Sequence, residues 1–161
     1  MIGFEIIGAQ RVVNMLGEMP GKVQAAAKSS LDIWAAELAG YIKSDKLSGQ
    51  VLNRRSGRLS ASVLPLQQQS GDSVSGGARG GGGVPYAAIH EFGGLIPAHQ
   101  VVAKNAQALS FTIDGVRRFA KSVQIPDVQM PERSYMRSGF EDKAPQGIEM
   151  LRAAVREAIV S

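Results

Sequence analysis

At 161 residues the chain has room for one sizeable core, and its 44% apolar and 20% charged residues are close to the balance of an ordinary water-facing domain. Eighteen Lys and Arg against 14 acids give a net charge of +4, which tolerates contact with a polyanion without demanding it. The lack of cysteine excludes disulfide staples and thiolate metal sites, and no apolar run approaches the roughly 18–20 residues that span a bilayer.

In chain order, residues 2–7 (IGFEII) read as a short strand, and Val12, Val13 and Leu16 mark a brief amphipathic helix over about 9–17. This N-terminus has neither the charged nor the long apolar region of a secretion signal, so the expected setting is a reducing cytoplasm or something assembled there. Pro20 suits the first position of a second helix, where its missing N–H costs nothing. From there Val23, Ala27, Leu31, Trp34, Leu38, Tyr41 and Ile42 recur at steps of three and four, the apolar stripe of a helix over about 20–45. Lys22, Lys28, Asp32 and Lys43 fall off the stripe, and Leu31, Trp34 and Leu38 are expected in the core. Residues 46–62 read as a loop with a tight turn at Gly57. Strands follow at 61–68 and 72–79, joined by Ser70-Gly71-Asp72.

The four glycines at 80–83, part of a total of 19, fall in a flexible loop expected over about 76–84. After it, Tyr86, Ile89 and Phe92 are expected to pack a short helical turn onto the core, turning His90 and Glu91 toward a neighbour or solvent. Asp114-Gly115 signals a β-hairpin over about 108–125. A cross-strand aromatic pair contributes about 0.2–1 kcal/mol, which favours a bulged loop with Phe111 opposite Phe119 and Arg117 near the tip. Ser138 and Glu141 have capping-box spacing. Ile148, Leu151, Val155 and Ile159 form a second amphipathic helix, with Pro145 near its start. The order of elements predicts an α+β fold in one domain, 1–161: a long N-terminal helix and a C-terminal helix on a mainly antiparallel sheet, with an extended β-hairpin and glycine-rich loops.

The catalytic motifs that these residues hint at are incomplete. A phosphate loop needs Lys and Ser or Thr after its last glycine, but Gly83 is followed by Val84 and Pro85. A zincin helix needs two histidines four residues apart, whereas His90 and His99 are separated by nine residues with Pro97 between them. There is no G-x-S-x-G elbow. The sequence therefore predicts no enzyme activity, no cofactor and no metal. Arg54, Arg55 and Arg58 could neutralise phosphates, although no aromatic residue interleaves with them to stack bases. A solvated turn explains them equally well.

Three blocks occur in order: Arg55-Ser56-Gly57-Arg58-Leu59, then Tyr86 to Gly93 (YAAIHEFG), then Pro131 to Met136 (PERSYM). Together they resemble the tail-completion proteins of long-tailed bacteriophages, a family also described as tail-component, neck or virion morphogenesis proteins. The resemblance runs from the long helix to the C-terminus. The chain departs from it in the long glycine run and in Tyr135, where phenylalanine is common. The resemblance implies a structural virion protein in a ring at the head–tail junction, joining or completing the tail on the DNA-filled capsid and assembled in the host bacterial cytoplasm. The implied partners are copies of itself, tail terminator or tail tube proteins, head–tail connector proteins and, without sequence preference, passing DNA; no membrane is implied. Tyr86, His90, Glu91, Phe92 and Arg117 are the candidate subunit or partner interface. Arg54, Arg55 and Arg58 are the candidate basic surface facing DNA or an adjacent ring. The alternative from a different class is a small basic nucleic-acid-binding module without catalysis.

Overall fold

The computed structural model describes residues 9–71 and 73–160, with side chains from residue 17 onward. The strand expected at 2–7 lies outside the described residues. The fold is α+β, with every strand paired antiparallel. Its residues fall into two compact units, one running to Ala87 and resuming at Ser134, the other spanning Ala88–Arg133.

The first unit is organised by helix α1 (Ala9–Tyr41). The two helices expected around Pro20 are one, because Pro20 sits inside α1. Pro20 is exposed, so the hydrogen bond it removes is forfeited on the solvent side, and its fixed φ is itself helical. The expected stripe is the buried one: Trp34, Leu38 and Ile42 are core residues, while Leu31 is half-buried against them. The winding widens over Ile42–Gln50 and stops at Gly49, whose φ of 128° suits glycine alone.

Helix α4 (Met136–Val160) packs on α1. It begins well before Pro145, which it contains. Ser138 is consequently inside the helix rather than capping it, and its amide reaches back to the Ser134 hydroxyl at 3.4 Å. The two helices approach closely at two glycines. A Cβ on Gly139 would lie 2.6 Å from Ile42 Cγ1, and one on Gly147 would lie 2.6 Å from Trp34 Cε2. The Trp34 indole N–H donates to the Lys143 carbonyl at 3.0 Å, and its ring meets Phe140 edge-on at 5.7 Å.

Strands β1 (Leu64–Ser70) and β2 (Ser73–Arg79) form a hairpin against α1. Gly76 lets β2 approach the helix backbone, since a Cβ there would meet the Leu31 carbonyl oxygen at 3.1 Å.

The second unit holds six strands: β3 (Gly94–Ile96), β4 (His99–Val102), β5 (Leu109–Ile113), β6 (Val116–Ala120), β7 (Ser122–Ile125) and β8 (Val128–Met130). Gly94 pairs with Met130, Ile96 with Val128, His99 with Ile125 and Val102 with Ser122. Each step forward on one side is matched by a step back on the other, so β3–β4 and β7–β8 continue one register. The ladder breaks where Pro97 and Pro126 fall, because neither has an N–H to donate. The Ala103 amide extends the register to the Lys121 carbonyl at 3.0 Å. Residues 104–108 then loop out, and β5 and β6 close the ribbon.

The expected bulged register of this hairpin is wrong. Ile113 faces Val116 across a two-residue turn, which places Phe111 opposite Arg118 and Phe119 opposite Ser110. Asp114 and Gly115 both have positive φ, 52° and 77°. That pair matches the right-handed twist of the strands, and the turn outweighs the aromatic pair used to choose the register. The second expected strand also divides at Lys121, where pairing passes from β5 to β4.

Candidate functional site

The arginine turn and the glycine run are one construction. Gly57 adopts φ 75° and starts the short helix α2 (Arg58–Ser62). An Arg54 Nη donates to the hydroxyl of buried Ser60 at 2.8 Å, and an Arg58 Nη donates to the Gly83 carbonyl at 3.3 Å. From the other side, the Gly81 amide donates to Ser62 Oγ at 3.0 Å. Thus the stretch expected as a loop over about 76–84 is strand to Arg79, then a turn closed by the Val84 amide on the Gly81 carbonyl at 3.0 Å. Gly81 has no room for a side chain: a Cβ would lie 2.8 Å from that of Ala87. Two of the three arginines therefore hold backbone and hydroxyl groups in place. Arg55 is exposed, with no hydrogen bond or ion pair among the described residues.

The Tyr86–Gly93 block forms helix α3 (Ala87–Phe92). Its burial is the reverse of the expectation: Phe92 is 68% exposed and Tyr86 37%, whereas Glu91 is buried. The buried positions Val84, Ala87 and Glu91 step by three and four, and that face excludes Tyr86 and Phe92. Gly93, at φ 66°, is required where the chain leaves α3, because a Cβ there would meet the Glu132 nitrogen at 2.8 Å and the Met130 carbonyl at 3.0 Å. The Arg133 amide donates to the His90 carbonyl at 2.8 Å, tying the second block to the third. Burial, and secondarily the Arg133 charge, lowers the His90 pKa from its ordinary value. Tyr135, where the resemblance leads one to expect phenylalanine, is a core residue of the first unit.

Tyr86 lies in the first unit, while His90, Glu91, Phe92 and Arg117 lie in the second. Of residues 88–133, Glu91 alone is buried. Leu95, Val101, Val102, Ile113, Val116, Phe119 and Val128 all stand open to solvent along the ribbon. Arg117, opposite Thr112 on β6, is exposed as well.

Sequence reasoning missed one polar cluster altogether. Lys46, expected in a loop, is buried, and its Nζ lies 2.7 Å from Asp142 Oδ2 on α4. The Tyr41 hydroxyl donates to the same oxygen at 2.6 Å. The hydrogen bond from Lys46 lowers the Asp142 pKa, and the hydrogen bond to Asp142 raises those of Lys46 and Tyr41. This group clamps the end of α1 to α4. The only signal in the sequence was that Lys46 and Tyr41 fall five residues apart at the end of the stripe.

Among the described residues, no group of three or more His, Asp or Glu side chains could hold a metal, and no helix is long and apolar enough to cross a membrane. His99 is on β4, its Nδ1 lying 3.0 Å from the Pro97 carbonyl. A family model described as the phage virion morphogenesis family matches residues 24–156. No curated protein and no solved structure matches the chain significantly.

Proposed function

The chain belongs to the phage virion morphogenesis family, and from that premise we propose that it is a structural subunit of a ring at the head–tail junction, completing or joining the tail without catalysis of its own. The observation that supports this reading is the ribbon. A two-stranded ladder alone in water is marginal at best, because half of its backbone groups and both faces stay solvated. Residues 94–130 consist of such ladders, with large apolar side chains exposed on both faces. Such a surface is complete only when other chains cover it, and repeated copies in a closed ring would cover every ribbon equivalently. The turn formed by Arg54, Arg58 and the glycines then acts as scaffold, and the ribbon with Phe92 and Arg117 supplies contact surface.

The test is assembly. Particles produced without this chain should accumulate as filled heads and separate tails. Adding the purified protein should restore joined particles, with a ring density visible at the junction. Joined, infectious particles formed in its absence would overturn the reading.

A further inference from the structure

The tip of the ribbon carries a charge pattern that apolar contact does not explain. Residues 104–121 contain Lys104, Arg117, Arg118 and Lys121 against a single acid, Asp114. All four cations are exposed, and no ion pair or hydrogen bond engages their side chains among the described residues. The contrast with Arg54 and Arg58 is direct, since those guanidinium groups are already spent on Ser60 and Gly83.

The observed register sorts the tip into two faces, because directly paired residues share a side of the ladder. Leu109, Phe111, Ile113, Val116 and Ala120 lie on one face, with Arg118 beside Phe111. Ser110, Thr112, Arg117 and Phe119 lie on the other. The second face combines a free guanidinium, two exposed hydroxyls and an aromatic ring that is 67% exposed. Arginine, serine and threonine are the side chains that contact phosphate oxygens without reading sequence. A two-stranded ribbon is also narrow enough to enter the major groove of a duplex.

We propose that this face of the β5–β6 tip, carrying Arg117 with Ser110, Thr112 and Phe119, is a sequence-independent contact for the phosphate backbone of double-stranded DNA. Charge complementarity selects this partner over another protein: four unpaired cations beside one acid meet a dense line of negative charge and release its counterions. The opposite face, where Phe111, Ile113 and Val116 accompany Arg118, is left to the protein contacts of the assembly. Arg55, the remaining free arginine of the other cluster, takes no part.

The experiment is fluorescence anisotropy of a labelled random-sequence duplex titrated with the full chain at several salt concentrations. Binding should be weak, with Kd of about 10⁻⁴ to 10⁻⁶ M near physiological salt, and should steepen in log–log salt dependence by about 0.9 for each phosphate neutralised. Arg117→Ala should weaken binding and reduce the salt slope by about 1, whereas Arg118→Ala, on the opposite face, should have a smaller effect. Arg117→Lys should retain the slope, and Arg55→Ala should leave binding unchanged. All are exposed positions, so circular dichroism should show the fold intact. No binding of the duplex, or binding that responds to Arg55 or Arg118 but not to Arg117, would overturn the proposal. So would a loss confined to self-association, read in parallel by sedimentation velocity. Failure here leaves ring formation standing, because particle joining is measured without reference to DNA affinity.

Discussion

Two β-hairpins of nearly equal size among the described residues meet different fates. β1–β2 has seven-residue strands and lies against α1, with Gly76 admitting the helix backbone. β5–β6 has five-residue strands closed by the Asp114-Gly115 turn, yet Ile113, Val116 and Phe119 remain in solvent. Neither hairpin contains a fully buried residue, but β2 is half-buried at Val74, Gly76, Gly77 and Ala78 where it lies against α1. What separates them is tertiary: one hairpin has a helix to cover it within its unit, and the other belongs to a unit whose residues bury only Glu91. The stretch that supplies stability is thus distinct from the stretch proposed as contact surface.

The largest way to sharpen this contrast is through the core of the first unit. Leu38 is 1% exposed, so Leu38→Ala should cost about 2–5 kcal/mol in denaturant unfolding. A loss of a few tenths would mean that α1 is not the organising element. Next comes the glycine seam. Gly147→Ala places a methyl against the Trp34 ring and should cost about 1–3 kcal/mol through overpacking, although alanine is the better helix former. A stabilised variant would show that the helices separate at no cost. On the ribbon the expectation inverts. Val116→Ser with Phe119→Ser should change stability by no more than about 0.5 kcal/mol, while lowering the yield of joined particles in the complementation assay. Strong destabilisation of the isolated chain would place these side chains in a core of their own.

The smallest effect belongs to the Lys46–Asp142 clamp, because Asp142 is 45% exposed. Its folded pKa is depressed, chiefly by the Lys46 hydrogen bond. Such a carboxylate adds stability that is fully present above its unfolded value, about 3.9, and that is lost as pH falls through the lower folded value. Asp142→Asn should therefore be less stable than the parent at neutral pH, and the two should converge below about pH 4. A difference that persists unchanged into strong acid would show that the carboxylate charge is irrelevant to the clamp.

The two units were not equally legible in the sequence. Trp34, Leu38 and Ile42 lie on a period that helix geometry enforces, so the stripe could be read without coordinates. The β1–β2 turn and the Asp114-Gly115 turn were readable because so few residues tolerate positive φ. The register beyond the second turn was misread, since a pairwise preference between Phe111 and Phe119 was weighed above the turn that sets the alignment. Lys46 and Glu91 were unreadable for another reason. Burial of a charge depends on what long-range packing brings beside it, and Asp142 is 96 positions from Lys46 in the chain. The orientation of the Tyr86–Gly93 block was misread: Phe92 is exposed and Glu91 is buried, because a helix of six residues is too short for its period to announce which side faces inward.

The proposed division between a self-sufficient unit and one completed by other chains is most directly tested by amide hydrogen exchange, on the monomeric protein and on assembled particles. In the monomer, amides of α1 around Trp34 to Ile42 should exchange only through global unfolding, whereas those of 94–130 should open at far lower free energy. In particles the ribbon amides should become protected. Ribbon amides as slow as those of α1 in the isolated monomer, or equally fast in both states, would contradict the account.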